Sequence, residues 1–252
     1  MSNIHDALTK HRQEMDRSRG AGALPGAAGA SRRGTIPVAL EPGRDRELEE
    51  LRQRVILELG AGRSAVIVFT AAVPGEGAST LSLLFAYRLA EAESRPVLLV
   101  DGDLAHTGRS LSSVLGNGGE ARGLVEILTG SHALKDVVVP TEEPNLHFLP
   151  CGSVAGPNID LVREDRLSPL LEEMRRVYSF VVVDSASTLA APETGPLAAA
   201  ADGVVMVVRA GRSRRETVQK ALHLLGKARC RLLGVVLNDR RYPIPSFIYR
   251  RI

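Results

Sequence analysis

Between Val66 and Leu81 the chain reads VIVFTAAVPGEGASTL, an apolar β-branched run that breaks at Pro74-Gly75-Glu76-Gly77 before a helical pattern opens at Ala78-Ser79-Thr80. Strand, glycine loop and helix start are the parts of a phosphate-binding loop, whose template is G-x-x-x-x-G-K-[ST]. Here Ala72 takes the first glycine position, Gly77 and Ser79 match, and Ala78 stands where the lysine belongs. Gly75 and Gly77 let backbone N–H groups turn inward as an anion nest, the helix adds its positive end, and the Ser79 hydroxyl suits Mg²⁺. A lysine would meet the β- and γ-phosphates, a charge-assisted contact worth roughly 1.5–3 kcal/mol. Phosphoryl transfer leans on such charges. The loop therefore predicts a cradle for ATP or ADP with Mg²⁺ in which binding outlasts catalysis.

Further chemistry sits at the ends of the other apolar runs. Asp101 and Asp103 follow Val97-Leu98-Leu99-Val100, Asp184 follows Val181-Val182-Val183, and Arg209 and Asn238 close the last two runs. Taken alone, each aspartate also suits a cap on the next turn. Together with the loop, Asp101, Asp103 and Asp184 form a candidate catalytic set: one carboxylate holds the metal through water, another orients or deprotonates a nucleophile. Ser79, Asp103 and Asp184 are the candidate metal ligands, and Pro74 to Thr80 with Arg209 and Asn238 the candidate nucleotide contacts.

These residues meet only if the intervening elements bring the strand ends to one edge. Arg46 to Leu59 places Leu48, Leu51, Val55, Ile56 and Leu59 at helical spacing, stopped by Gly60 and Gly62. After the loop, helix alternates with strand: helix 79–92, strand 96–101, helical stretches 123–129 and 133–138, strand 146–149. Helix 163–177, strand 180–184, a loop through Pro192, strand 203–209, helix 216–228 and strand 232–238 complete the series. Near-continuous apolar strands between amphipathic helices predict an α/β fold, a mostly parallel central sheet with helices on both faces. Such sheets bind ligands at the carboxyl ends of their strands.

The 252 residues, 44% hydrophobic, suffice for one large domain, and the absence of Trp leaves a core of Val, Leu, Ile and Ala. The net charge of +3 is small, and its basic residues gather in the tails and at Arg212-Ser213-Arg214-Arg215, a hint of anionic partners. No nucleic-acid reader motif accompanies them, so nucleic acid is not an expected partner. Cys151 and Cys230 show neither metal-ligand spacing nor a disulfide framework, which fits a reducing cytoplasm. No run approaches a membrane span, and the polar start Met1-Ser2-Asn3-Ile4-His5-Asp6 is no signal peptide. Residues 1–19 read as an amphipathic segment or a frayed terminus, 20–43 as a flexible linker, 44–239 as the domain, and 240–252 as a basic tail. That tail, RRYPIPSFIYRRI, suits docking on a neighbouring subunit or an anionic membrane surface, or else is a disordered end.

Taken in order, these motifs resemble the bacterial tyrosine kinase family, the P-loop kinases of capsular and exopolysaccharide export related to the MinD and ParA ATPases. PGEGAST at Pro74–Thr80 is similar to the family's PGEGKST, VLLVDGDL at Val97–Leu104 to its second aspartate motif, and FVVVDSAS at Phe180–Ser187 to its Walker B strand. The stretch from Gly123 to Gly130, Asn145 to Pro150, and Ala201-Asp202-Gly203 with Val207-Val208-Arg209 match further family motifs, and the opening MSNIHDALTK resembles the start of some members. The resemblance implies a P-loop NTPase architecture of MinD/ParA type, ATP or ADP with Mg²⁺ as cofactors, and self-association. It also implies a cytoplasmic location at the inner membrane, beside the cytoplasmic tail of a membrane polysaccharide copolymerase.

The departures from the family fall on its chemistry. Ala78 replaces the lysine, Ala105 an arginine after Asp-x-Asp, and Ala186-Ser187 the proline pair after Asp184. Of the oligomerisation motif Glu-x-x-Arg-x-x-Arg, Glu49 and Arg52 remain, with Val55 at the second arginine; the tyrosine cluster is reduced to Tyr242 and Tyr249, the expected phosphoacceptors. The expectation is a degenerate family member that regulates polysaccharide export through protein contacts and binds nucleotide weakly or not at all. The alternatives are an active ATP-dependent tyrosine autokinase, with an arginine such as Arg109 in the lysine's place, and a MinD/ParA-like ATPase. The last is disfavoured because its additional loop lysine is also missing.

Overall fold

The strands form because β-branched and aliphatic runs bury on both sides once helices cover both faces of a sheet. The structure, a computed structural model, describes residues 42–60, 62–105, 111–115, 122–153 and 159–239. In chain order the elements are α1 (Pro42–Leu59), β1 (Ala65–Ala71), α2 (Ala78–Ala92), β2 (Val97–Gly102), α3 (Leu111–Val114), α4 (Leu124–Leu128), α5 (Leu134–Val137), β3 (Val139–Pro140) and β4 (Leu146–Leu149). A 3₁₀ turn at Ile159–Val162 leads to α6 (Glu164–Val177), β5 (Phe180–Ser185), α7 (Thr194–Ala200), β6 (Gly203–Arg209), α8 (Arg215–Lys227) and β7 (Leu232–Asn238).

The sheet has seven strands in the order β3-β4-β2-β5-β1-β6-β7, parallel except for the antiparallel β3 edge. Every residue of β1 and of β5 is buried, as their uninterrupted apolar sequences require. The register pairs Phe69 with Asp184, and Asp101 with Asp184, so β2, β5 and β1 finish side by side. Because β1 lies centrally, the loop that follows it has β5 and β2 on one flank and β6 and β7 on the other.

Two apolar layers hold the sheet. One face carries α1 and α2, where Val55, Phe85 and Leu89 pack on Ile67, Phe69 and Leu99. The Phe69 and Phe85 rings lie 5.1 Å apart at the tilted angle that aromatic pairs favour. The opposite face carries α4 to α8, with Leu167, Leu170, Leu171 and Met174 of α6 turned inward. Asp202 locks the start of β1: it accepts the Val66 N–H at 2.7 Å and pairs with Arg175 at 2.5 Å.

Three features differ from expectation. Helix α1 begins at Pro42 rather than Arg46; proline suits a first helical turn because its fixed φ is helical and its missing N–H has no intrahelical acceptor there. Helix α7 occupies part of the expected loop, invisible in sequence because TGPLAAA carries only one large apolar residue. β3 adds an antiparallel edge of Val139–Pro140, too short to leave a periodic signal. Of the expected linker 20–43, residues 42 and 43 belong to helix α1; the rest of it, the segment 1–19, Arg109, and the tail 240–252 with Tyr242 and Tyr249 lie outside the described residues.

Candidate nucleotide site

The break after β1 builds a cradle. Gly77 has φ 95°, a left-handed conformation that favours glycine, and α2 starts at Ala78 directly after it. Glu76 turns its buried carboxylate back into the loop, where one oxygen accepts the N–H groups of Ala72 at 2.7 Å and Val73 at 3.1 Å. Its other oxygen accepts the Ser213 hydroxyl, and its backbone carbonyl accepts the Asn238 side-chain amide at 2.9 Å. Glu76 thus ties the loop to Ser213 after β6 and to the end of β7.

A cavity of about 470 Å³ opens over this loop. Pro74 to Thr80 line it, together with Asp103, Arg209 and Asn238, so the structure gathers nearly all of the residues expected to meet a nucleotide. Ala78 is buried and lines the cavity with a methyl group where the template has a lysine. Among the described lining residues Arg209 is the one cation, and its guanidinium forks onto Asp239 at 3.0 and 2.7 Å. In the sequence the signal for Asp239 is its position directly after Asn238 at a strand end, and Ser213 stands inside a basic stretch that gives no sign of its bond to Glu76.

The three aspartates separate by environment. Asp101 is fully buried and does not line the cavity. One of its oxygens accepts both the backbone N–H and the hydroxyl of Ser112, at 2.9 and 2.7 Å, and the other accepts the Asp103 N–H at 3.3 Å. Those bonds hold the turn that presents Asp103 to the cavity. Asp184 is also buried, and burial pushes its carboxyl well above the usual carboxylate range; hydrogen bonds from Ser79 and Ser82 oppose that shift, while the charges of Asp101 and Asp103 add to it.

The Oδ1 atom of Asp184 is buried without a hydrogen-bond partner. An orphaned carboxylate oxygen beside the first hydroxyl of a helix fits a hard divalent cation. No group of three His, Cys, Asp or Glu residues with metal-binding spacing occurs among the described residues.

Away from the cavity, Glu49 and Arg52 on α1 pair with each other at 2.6 Å, which holds the Glu49 carboxyl down to about 2. Val55, one turn on, is buried against the sheet, so the position where the family motif has a second arginine belongs to the core.

A family model described as an AAA domain matches residues 64–232. The tyrosine-protein kinase CpsD of Streptococcus agalactiae is 27% identical over 194 residues, covering 77% of this chain and 83% of the relative. The succinoglycan biosynthesis transport protein ExoP of Rhizobium meliloti is 30% identical over 183 residues, 71% of this chain but 23% of that larger protein. Among solved structures, the kinase domain of the Escherichia coli tyrosine kinase ETK superposes with a TM-score of 0.71 at 24% identity, covering 80% of this chain and 78% of that one. The septum site-determining protein MinD of Pyrococcus horikoshii, complexed with Mg-ADP, gives a TM-score of 0.59 at 25% identity over 75% and 76% of the two chains.

Proposed function

The chain belongs to the AAA domain family, and from that premise we propose that it is a regulatory member of the tyrosine-kinase branch serving capsule and exopolysaccharide export, one that binds Mg-nucleotide weakly and transfers phosphate slowly or not at all. The fold of that branch, the cradle after β1 and the paired Asp184 and Ser79 support nucleotide binding. The observation that carries the loss of catalysis is Ala78: the cavity wall offers a methyl group where charge must be neutralised as the phosphoryl group moves. When bound, Mg²⁺ would neutralise phosphate charge; Ser79, Asp103 and Asp184 are the residues that would hold it.

Regulation through contacts is the function left to such a protein. Its partner is the cytoplasmic tail of a membrane polysaccharide copolymerase, which would hold it at the inner membrane. No helix among the described residues is long and apolar enough to cross a membrane. Self-association is weak, because Glu49 and Arg52 are engaged with one another and Val55 is committed to the core.

Calorimetry with ATP and ADP, with and without Mg²⁺, tests the binding half, and labelled phosphate transfer onto tyrosine tests the other. Micromolar or weaker binding with no transfer is expected. Rapid labelling of Tyr242 or Tyr249 would establish the second reading, an active autokinase. That reading has one observation in its favour: Arg209 places a guanidinium on the wall of the same cavity.

A further inference from the structure

We infer that the hydroxyl of Ser187 is the donor that reads the terminal phosphoryl group of the bound nucleotide, a neutral contact at the end of the cradle that Ala78 leaves without charge. The inference rests on the nucleotide-binding reading above and adds to it a residue that tells ATP from ADP.

Ser187 lines the cavity and is 5% exposed, yet its Oγ is buried without a hydrogen-bond partner. The hydroxyls around it are all committed. Ser185 donates to the Phe69 carbonyl at 3.1 Å, while Thr70 and Thr194 each donate to the Ala186 carbonyl at 2.9 Å. The backbone on the far side is fixed too, since the Thr188 N–H donates to the Ala71 carbonyl at 2.8 Å. Ser187 is therefore pinned by its neighbours against the first residues of the loop, while no bond selects among the staggered wells of its own side chain. Buried polar groups in native proteins are normally satisfied, so an uncommitted hydroxyl on a cavity wall points to a ligand atom as its partner.

The topology says which atom. The cavity straddles the loop after β1. The pair Asp184 and Ser79 lies toward β5, and Asn238 with Arg209 lies toward β6 and β7. Mg²⁺ held by Ser79 and Asp184 would neutralise phosphate charge there, which puts the terminal-phosphate end of the cavity on the β5 side and leaves the Asn238 side to the nucleoside. Ser187 follows β5 and stands at the terminal-phosphate end.

The test uses the full chain and its Ser187→Ala and Ser187→Thr variants, titrated with Mg-ADP and with the non-hydrolysable analogue Mg-AMPPNP, with melting of the nucleotide-free proteins alongside. Ser187→Ala should weaken Mg-AMPPNP by roughly three- to tenfold, the range of one neutral hydrogen bond, and leave Mg-ADP unchanged. Ser187→Thr, which keeps the hydroxyl, should restore the analogue's affinity. The melting temperature of the alanine variant should hold or rise, since an unpaired polar group is removed from the interior. Equal weakening of both nucleotides would make Ser187 a general support of the loop and overturn the inference, as would no weakening of either. If the unaltered chain binds neither nucleotide, the binding reading itself falls and takes the inference with it, a pattern distinct from the other two.

Discussion

Asn238 donates its side-chain amide to the carbonyl oxygen of Glu76 at 2.9 Å, which fastens the last strand of the sheet to the loop after the first. The neighbouring Gly77 is what allows this closeness: a Cβ there would stand 2.1 Å from the Asn238 amide nitrogen, and its φ of +95° is one that L side chains rarely adopt. Gly77→Ala therefore meets backbone strain of about 1–2 kcal/mol together with loss of a hydrogen bond worth about 1 kcal/mol. Nucleotide affinity should fall with it, because the N–H groups of the nest no longer converge. Gly75→Ala is the control: Gly75 has φ +84° but nothing within 4 Å of an added Cβ, so it carries strain without the clash. Thermal melts of the two variants decide the matter, and equal losses would remove Asn238 from the account.

Much of this arrangement was legible in the residues, and the parts that were not have physical reasons. Strand-end positions such as Asp103, Arg209 and Asn238 could be placed because parallel strands must finish on one edge, and all three line the cavity. Spacing alone could not tell Asp101 from Asp103, since they flank the last residue of β2. What separates them is Ser112, eleven positions on, whose N–H and hydroxyl take up an Asp101 oxygen. Glu76 lies inside the motif, but its carboxylate is engaged by the nearby Ala72 and Val73 N–H groups and also by Ser213, far along the chain. Long-range partners of this kind leave no periodicity to read.

A pH dependence follows from Glu126 on α4. Its carboxylate accepts the N–H groups of Gly123 at 2.6 Å and Ser153 at 3.1 Å, tying two loops together. Burial pushes this carboxyl up, but the N–H groups of Gly123, Ser153 and Glu126 itself, with the Ser153 hydroxyl, together outweigh burial and leave it below its ordinary value of 4.5. The folded chain then binds fewer protons here than the unfolded chain. The contribution is fully present above pH 4.5 and is lost as pH falls through the lower folded value. Glu126→Gln should cost about 1 kcal/mol at neutral pH, a charged hydrogen-bond contribution discounted for partial exposure. Denaturant melts at neutral pH and well below pH 4.5 should show the gap between parent and variant closing in acid. A gap that stays constant would assign the effect to shape rather than charge.

The sharpest disagreement between motif and chemistry is at Ala78. The residues around it are in place: Gly77 caps the helix, Ser79 bonds Asp184, and Asp103 reaches the same cavity. What the site lacks is mainly one positive charge at the start of α2. Ala78→Lys should tighten Mg-ATP binding by roughly 1.5–3 kcal/mol, one charge-assisted hydrogen bond, which is about tenfold or more in affinity. The new charge would stand one residue before Ser79, whose side chain bonds Asp184, and a nearby opposite charge favours the ionised carboxylate, so Mg²⁺ dependence should strengthen in step. Turnover is not expected to follow, because Ala186 and Ser187 remain in the wall beside Asp184 and transition-state stabilisation needs several positioned groups. Calorimetry on parent and variant reads the first claim and a phosphate-transfer assay the second. Unchanged affinity would mean that positive charge is already supplied, and Arg209→Gln would then locate it: a loss of binding in that variant assigns the charge to the arginine now forked onto Asp239. No change in either variant would mean that the cradle does not hold phosphate at all.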